Sequence, residues 1–272
     1  SEYTQDSALM KFTSDVPGGP LTLTAEAGRI EQATDVDAFL GVGRFLNTTA
    51  LAGDDEMLRY RVSLGQALTG ANAAFDSADW NAYWQGTETD QDTYEVRRAV
   101  PPRTPPVQLD RTFKSDESTF GIEFTAVKSL GSGSIVHDVV YGFEATRSEL
   151  DELRDGLQTN LTTGATPPTI LGETFPLRDL PLSTVVEIGA FVQDEVQFDD
   201  ARWTLVPALR VDYYDLTPET DRIYREDNPA TVPAGVDEVS FAPKLGATYR
   251  INDRLGVFFQ YAHGFRSPPP ED

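Results

Sequence analysis

Residues Phe241, Pro243, Leu245, Ala247, Tyr249 and Ile251 alternate with Ser240, Ala242, Lys244, Gly246, Thr248 and Arg250. After Asn252, Asp253 and Arg254 the alternation resumes at Leu255, Val257, Phe259 and Tyr261. A period of two predicts a β-hairpin with one apolar face and one polar or small-residue face. Upstream, Val186, Ile188, Ala190, Val192 and Val196 lead through Asp199–Arg202 to Trp203, Leu205, Leu209, Val211 and Tyr213. Phe120, Ile122, Phe124 and Ala126 run to a turn at Gly131–Gly133 and return through Ile135, Val139, Tyr141, Phe143 and Ala145. Weaker versions occupy Leu21–Ala27, Leu58–Leu64 and Trp80–Trp84. The pattern predicts about ten strands.

The connections alternate in length. Short ones fall near Asp15–Gly19, Gly131–Gly133, Asp199–Arg202 and Asn252–Arg254; long ones near 37–54, 91–112, 149–183 and 217–238. Minimal turns at one end and long loops at the other predict antiparallel up-and-down strands of a transmembrane β-barrel. The 68–78 connection, TGANAAFDSAD, is long for the short-turn side and fits worst. Trp203, Tyr213 and Phe241 sit near strand ends on the apolar face, where interfacial girdles form. The opposite face carries Glu187, Glu195, Arg210, Asp212, Lys244 and Arg250, as a solvated lumen allows. Pro207 and Pro243 each remove a ladder donor and predict bulges or irregular pairing.

Composition changes this picture little. Mean hydropathy is −0.35, and no run approaches the ~18 apolar residues of a membrane helix. A barrel strand shows lipid only at every second residue, so low mean hydropathy is compatible with a membrane. The absence of cysteine removes disulfides and thiolate metal sites. A net charge of −22 argues against nucleic acid as a partner. The acids crowd the expected loops: Asp54, Asp55 and Glu56; Glu149, Asp151, Glu152 and Asp155; Glu219, Asp221, Glu226 and Asp227. They read as a solvated acidic surface, or as sites for divalent ions that bridge to lipopolysaccharide. With no initiating Met and no export-type leader, the chain reads as an internal piece of a longer polypeptide.

FAPKLGATYRINDRLGVFFQYAHGFRSP, residues 241–268, resembles the segment of TonB-dependent outer-membrane receptors in which an SPKLG strand, a tight turn and a YxxGFRAP strand follow one another. YGFEATRSELDELRDG at 141–156, GETFPLRDLPLSTVVEIGAFVQDEV at 172–196 and WTLVPALRVDYYDL at 203–216 resemble the haem/haemoglobin (transferrin/lactoferrin) branch; GRFLNTTALAGDDEMLRYRVSL at 43–64 fits it less sharply. The match departs at Ser267, where the family has Ala, so the motif reads Phe265, Arg266, Ser267, Pro268.

The resemblance implies a mid-barrel fragment of a closed barrel of about 22 strands. In this family the barrel is plugged by an N-terminal domain and energised by TonB through a box at the N-terminus. It implies location in the bacterial outer membrane, with outer-membrane lipid, lipopolysaccharide, the plug of the same parent chain, TonB and a haem-carrying host protein as partners. Haem or another iron chelate is then cargo of the parent receptor, and this fragment holds no cofactor or metal of its own. The family's haem-coordinating histidines lie on segments outside this chain.

Candidate contacts follow from register. His263 falls on the apolar register after Tyr261, close to the extracellular rim, as an interfacial polar residue or a secondary haem contact. His137 follows a short turn, near the periplasmic interface. Arg266 shares the lumen register with Lys244 and Arg250, as a wall residue or as a cation facing ligand carboxylates. Tyr214, Arg222 and Arg225 near the outer mouth admit the same two readings. Catalysis is not expected: no G-x-S-x-G occurs, and a nucleophile–His–acid set could use only His137 or His263. Against active transport of haem or an iron chelate stand a passive porin, a siderophore receptor barrel and a soluble β-sandwich domain.

Overall fold

The structure, a computed structural model, describes residues 1–102, 104–198 and 202–264. Its strands are β1 (Glu2–Val16), β2 (Gly19–Asp35), β3 (Thr48–Thr69), β4 (Ser77–Arg97), β5 (Val107–Ser132), β6 (Ile135–Asn160), β7 (Thr169–Ile170), β8 (Glu173–Thr174), β9 (Leu182–Phe198), β10 (Trp203–Glu219), β11 (Val236–Asn252) and β12 (Leu255–Ala262). Ten of them form one antiparallel sheet in chain order, with β9 beside β6 and the β7–β8 hairpin set apart in the connection between them. Among the described residues β1 and β12 are the free edges. The up-and-down order is the one the alternating connections predict.

One register carries the apolar face across the sheet. Trp203 opposes both Phe198 and Tyr249; Leu205 opposes Val196 and Ala247; Tyr249 opposes Val257. Phe124 opposes Trp80 and Phe143. Directly opposed residues share a face, so Leu205, Leu209, Val211, Leu245, Tyr249, Val257 and Phe259 lie together. Glu187, Arg210, Lys244, Arg250 and Gln260 lie on the other face. The first face is the lipid-facing one, because charge is nearly absent from its middle rows.

Three expectations need correction. The prolines make no bulge, since Pro207 opposes Leu245 and Pro243 opposes Leu209 in unbroken register; the expected irregular pairing is met at Pro207 alone, where the ladder to β9 breaks between Leu205 and Ala208. Two of the three acidic groups stand on strands rather than in loops. Asp54, Asp55 and Glu56 lie on β3, and Glu149, Asp151, Glu152 and Asp155 on β6. The long connections are accordingly shorter than expected: 36–47, 98–106, 161–181 and 220–235. At ~3.3 Å per residue the 26 residues of β5 extend ~85 Å, whereas 9–11 tilted residues cross a bilayer. Beyond the membrane both faces meet water, so pairing continues while the alternation that marks it in sequence disappears.

The third correction concerns 68–78. Residues 70–76 do connect at the short-turn end, but they lie back over the lipid-facing register of β4 to β6. The Lys128 ammonium donates to the Asn72 carbonyl at 2.7 Å and to Asp76 at 2.8 Å, and the Tyr141 hydroxyl donates to the Ala74 carbonyl at 2.9 Å. Ala78 and Ala126 are buried beneath. Nearby, His137 Nδ1 and Asp194 Oδ2 lie 2.7 Å apart on the same face, a paired interfacial group.

Candidate functional site

At the long-loop end, connections fold inward across the polar face. The 161–181 connection packs Ile170, Phe175 and Leu177 against Val107 and Leu109 of β5, the sheet's one cluster of fully buried apolar side chains among the described residues. Gly156 of β6 makes the approach possible, since a side chain there would collide with Ile170 and Phe175. Arg154 pins the return: its backbone pairs with Leu177, and its guanidinium reaches Asp179 at 2.9 Å and Glu173 at 3.4 Å.

Arg178 joins this connection to the next. It is 5% exposed and forms ion pairs with Asp151 of β6 and with Asp221 at 3.4 Å. Its guanidinium donates to the Glu152 carbonyl at 2.8 Å, its backbone N–H to Asp227 at 2.7 Å, and its carbonyl accepts from Asn228 at 2.9 Å. Asp221 is also the N-cap of the short helix α1 (Arg222–Asp227), accepting from the Tyr224 N–H. Two loops and one strand thus meet on a single buried cation.

A cleft of about 790 Å³ lies beside this assembly. The β2–β3 connection forms one wall with single 3₁₀ turns at Asp37–Phe39 and Gly43–Phe45. Phe39 and Phe45 stack at 6.2 Å between ring centres, and the Arg44 guanidinium lies 4.6 Å over the Phe45 ring. Leu171, from the tip of the β7–β8 hairpin, lines the opposite side. Its φ of 53° is left-handed and its side chain is 69% exposed. The sheet contributes Leu51, Asp55, Asp92, Glu95, Arg97 and Arg111.

Glu95 is 2% exposed and fully engaged. Arg97 donates at 2.7 and 3.1 Å, Thr48 donates at 2.6 Å, and Arg111 lies at 3.6 Å. Burial alone would raise its carboxyl pKa, but the hydrogen bonds from Arg97 and Thr48 and the two guanidinium charges outweigh that and hold it below 4.5. Glu95 stands seven residues past Glu88 on β4, well beyond the apolar band.

The sequence-derived candidates do not converge. Tyr214 faces the lumen opposite Glu187, but it is 4% exposed and its hydroxyl is unpartnered. It lines a separate pocket of about 280 Å³ with Glu144, Glu187, Arg210 and Asp212, where Arg210 pairs with Asp212 at 2.7 Å and with Glu144. Arg222 is paired with Glu226 at 2.7 Å, and Arg225 is exposed on α1. His263 is exposed on the apolar register but lies short of the expected rim: its N–H donates to Pro243, midway along β11. Phe265, Arg266, Ser267 and Pro268 lie outside the described residues. Arg178, Glu95, Arg44, Phe39, Phe45 and Leu171 were not found from sequence. Arg178 does stand within the 172–196 segment that carries the family resemblance, which was the one available signal.

The family model for the TonB-dependent receptor-like β-barrel matches residues 2–272. The chain belongs to that family. Among solved structures it resembles the Serratia marcescens hemophore receptor HasR in complex with its hemophore HasA and heme, at TM-score 0.65 and 14% identity, over 98% of this chain and 37% of that one. It also resembles the ferric-catecholate import receptor Fiu of E. coli K12, at TM-score 0.61 and 14% identity, over 98% of this chain and 48% of that one. BauA, the ferric preacinetobactin receptor of Acinetobacter baumannii, follows at TM-score 0.50 and 12% identity, over 94% and 39%. The chain therefore spans less than half the length of these receptors. No curated protein matches it. At these identities the likeness speaks for the barrel fold.

Proposed function

We propose that this chain is barrel wall and outer mouth of an outer-membrane receptor that imports haem or another iron complex, energised through TonB. The observation that carries the reading is a family match over the whole length of a sheet whose outer connections fold inward onto the lumen wall. The three receptors described above bind or import haem or ferric chelates, which supports an iron complex as cargo. The inner face, with Glu144, Arg210 and Asp212, is the surface on which a plug domain of the same parent chain would seat. Lipid and lipopolysaccharide cover the outer face, and a haem-carrying protein is a partner of the mouth. The haem branch is favoured by the sequence segments at 141–156, 172–196 and 203–216 over a siderophore receptor or a passive porin.

Growth of a receptor-deleted strain that is complemented with the complete gene tests this. Haemin or a ferric chelate as sole iron source should support growth only when the receptor and TonB are both present. Growth restored equally without TonB would identify a passive pore and end the active-transport reading.

A further inference from the structure

The cleft between the β2–β3 connection and the β7–β8 hairpin has one anchored wall and one tethered wall. Ile170 and Phe175 fix the hairpin side in the buried cluster with Val107 and Leu109, and Arg154 and Arg178 tie down the chain that follows it. The 36–47 side has no buried residue in either 3₁₀ turn. Among the described residues, its hydrogen bonds to the rest of the protein fall at its base. The Val36 N–H donates to the Leu51 carbonyl at 2.9 Å, and the Arg98 N–H donates to the Asn47 carbonyl at 2.9 Å. The tip itself is tied together: the Gly41 N–H donates to the Phe45 carbonyl at 3.0 Å, and Phe39 stacks on Phe45. A stiff tip on a narrow base moves as one body.

Both walls present apolar side chains to water across the gap. Phe39 is 56% exposed on the tethered wall and Leu171 69% exposed on the anchored one, and both line the same cavity. They stand on the inner side of the mouth, where the bilayer does not cover them. Leu171 holds a left-handed backbone at φ 53°, which disfavours leucine and suits glycine, the next residue. A large apolar side chain at such a position points to a packing partner that the open cleft does not give it. The apolar surface across from it is the Phe39–Phe45 stack, and contact between the two removes both from water.

We infer that the 36–47 connection is a shutter. Its tip swings about Val36 and Asn47, seats Phe39 and Phe45 on Leu171, and covers the sheet floor at Glu95, Arg97 and Arg111 with no ligand required. The inference concerns the empty mouth and so goes beyond the transport reading. Nitroxide labels on Val42→Cys and Glu173→Cys report the gap by electron–electron distance measurement in the complete receptor in detergent. Both sites are exposed, both leave the apolar contact intact, and this chain has no cysteine of its own. Two distances are expected, the present open one and a shorter one. Leu171→Gly relaxes the backbone while deleting the side chain, so a folding defect does not explain its effect. It should lower the ratio of the short to the long population at least about fivefold. Leu161→Ala, exposed in the same connection but outside the cleft, should leave the ratio unchanged. Because the contact is apolar, the ratio should not fall between about 0.1 M and 1 M NaCl.

A single distance, or two whose ratio is indifferent to Leu171→Gly, would overturn the shutter. A short population that disappears in high salt would overturn it too, since the closing contact would then be ionic. If an iron complex still supports TonB-dependent growth in either case, the shutter is wrong and the transport reading stands. If both distances are seen and Leu171→Gly shifts them while no iron complex supports growth, the shutter stands and the transport reading falls.

Discussion

Arg178 shows how one side chain holds the mouth together. Its guanidinium has two carboxylate partners, one on β6 and one the residue that caps α1, while its backbone N–H donates to Asp227 of α1. Asp151 and Asp221 keep contact with water, so loss of the cation costs less than in a closed core, about 1–3 kcal/mol and locally. Arg178→Met should leave the sheet intact and loosen both connections. Faster amide exchange over 161–181 and 220–235, with unchanged exchange in β9 and β10, is the expected result. Glu95 adds a pH dependence of definite sign. A carboxyl held below 4.5 in the folded state stabilises the mouth at neutral pH, and that contribution is lost as pH falls through the depressed value. Protease cleavage of the 36–47 connection should therefore rise below about pH 4, and Glu95→Gln should raise it at neutral pH while flattening the pH profile.

Strands were legible in sequence where they cross lipid and illegible where they leave it. Trp80 and Phe124, or Leu209 and Val211, alternate with polar residues because one face meets lipid and the other water. Asp54 to Glu56 and Glu149 to Asp155 meet water on both faces, so only the pairing itself reveals them as strand. The cleft was illegible for a different reason: Phe39, Leu171 and Glu95 are brought together by loops that fold across the sheet, and no local period encodes that. Register in the membrane-crossing stretch is locked by rings lying over glycines, Tyr60 over Gly86 on the lipid-facing side and Tyr83 over Gly121 on the lumen side, where Arg61 stacks 4.1 Å over the Tyr83 ring. Gly86→Ala and Gly121→Ala should each cost about 1–3 kcal/mol by overpacking, whereas Gly131→Ala, with open space around it, should cost far less. Urea unfolding of the complete receptor in detergent separates these cases. Phe259 and Gln260 make a second pair: arginine at Phe259, deeper in the apolar band than the row of Trp203, Tyr249 and Val257, should cost roughly 2–4 kcal/mol, and arginine at Gln260 little. Equal costs at the two positions would refute the register.

For the whole molecule, the net charge of −22 is not spread evenly. Just beyond the apolar band, the outer register carries Glu56 opposite Asp90 and Glu31, and the row Glu88, Asp116, Asp151 across three adjacent strands. Few cations answer them there: Arg29 pairs with Glu31 and Glu56, Lys114 with Asp90, and Arg178 with Asp151 at the end of the row. Such a collar repels itself at low ionic strength, and screening relieves it within a Debye length of ~10 Å at 0.1 M salt. If the collar is a solvated acidic surface, the midpoint of thermal unfolding in detergent should rise with NaCl. MgCl₂ should then do no more at matched ionic strength. Asp116→Asn should raise the midpoint at low salt and leave it nearly unchanged at high salt, because it removes the central charge of the row. A midpoint that responds to Mg²⁺ at concentrations far below those at which NaCl acts, and loses that response in Asp116→Asn, would instead make the row a divalent-ion bridge to lipopolysaccharide.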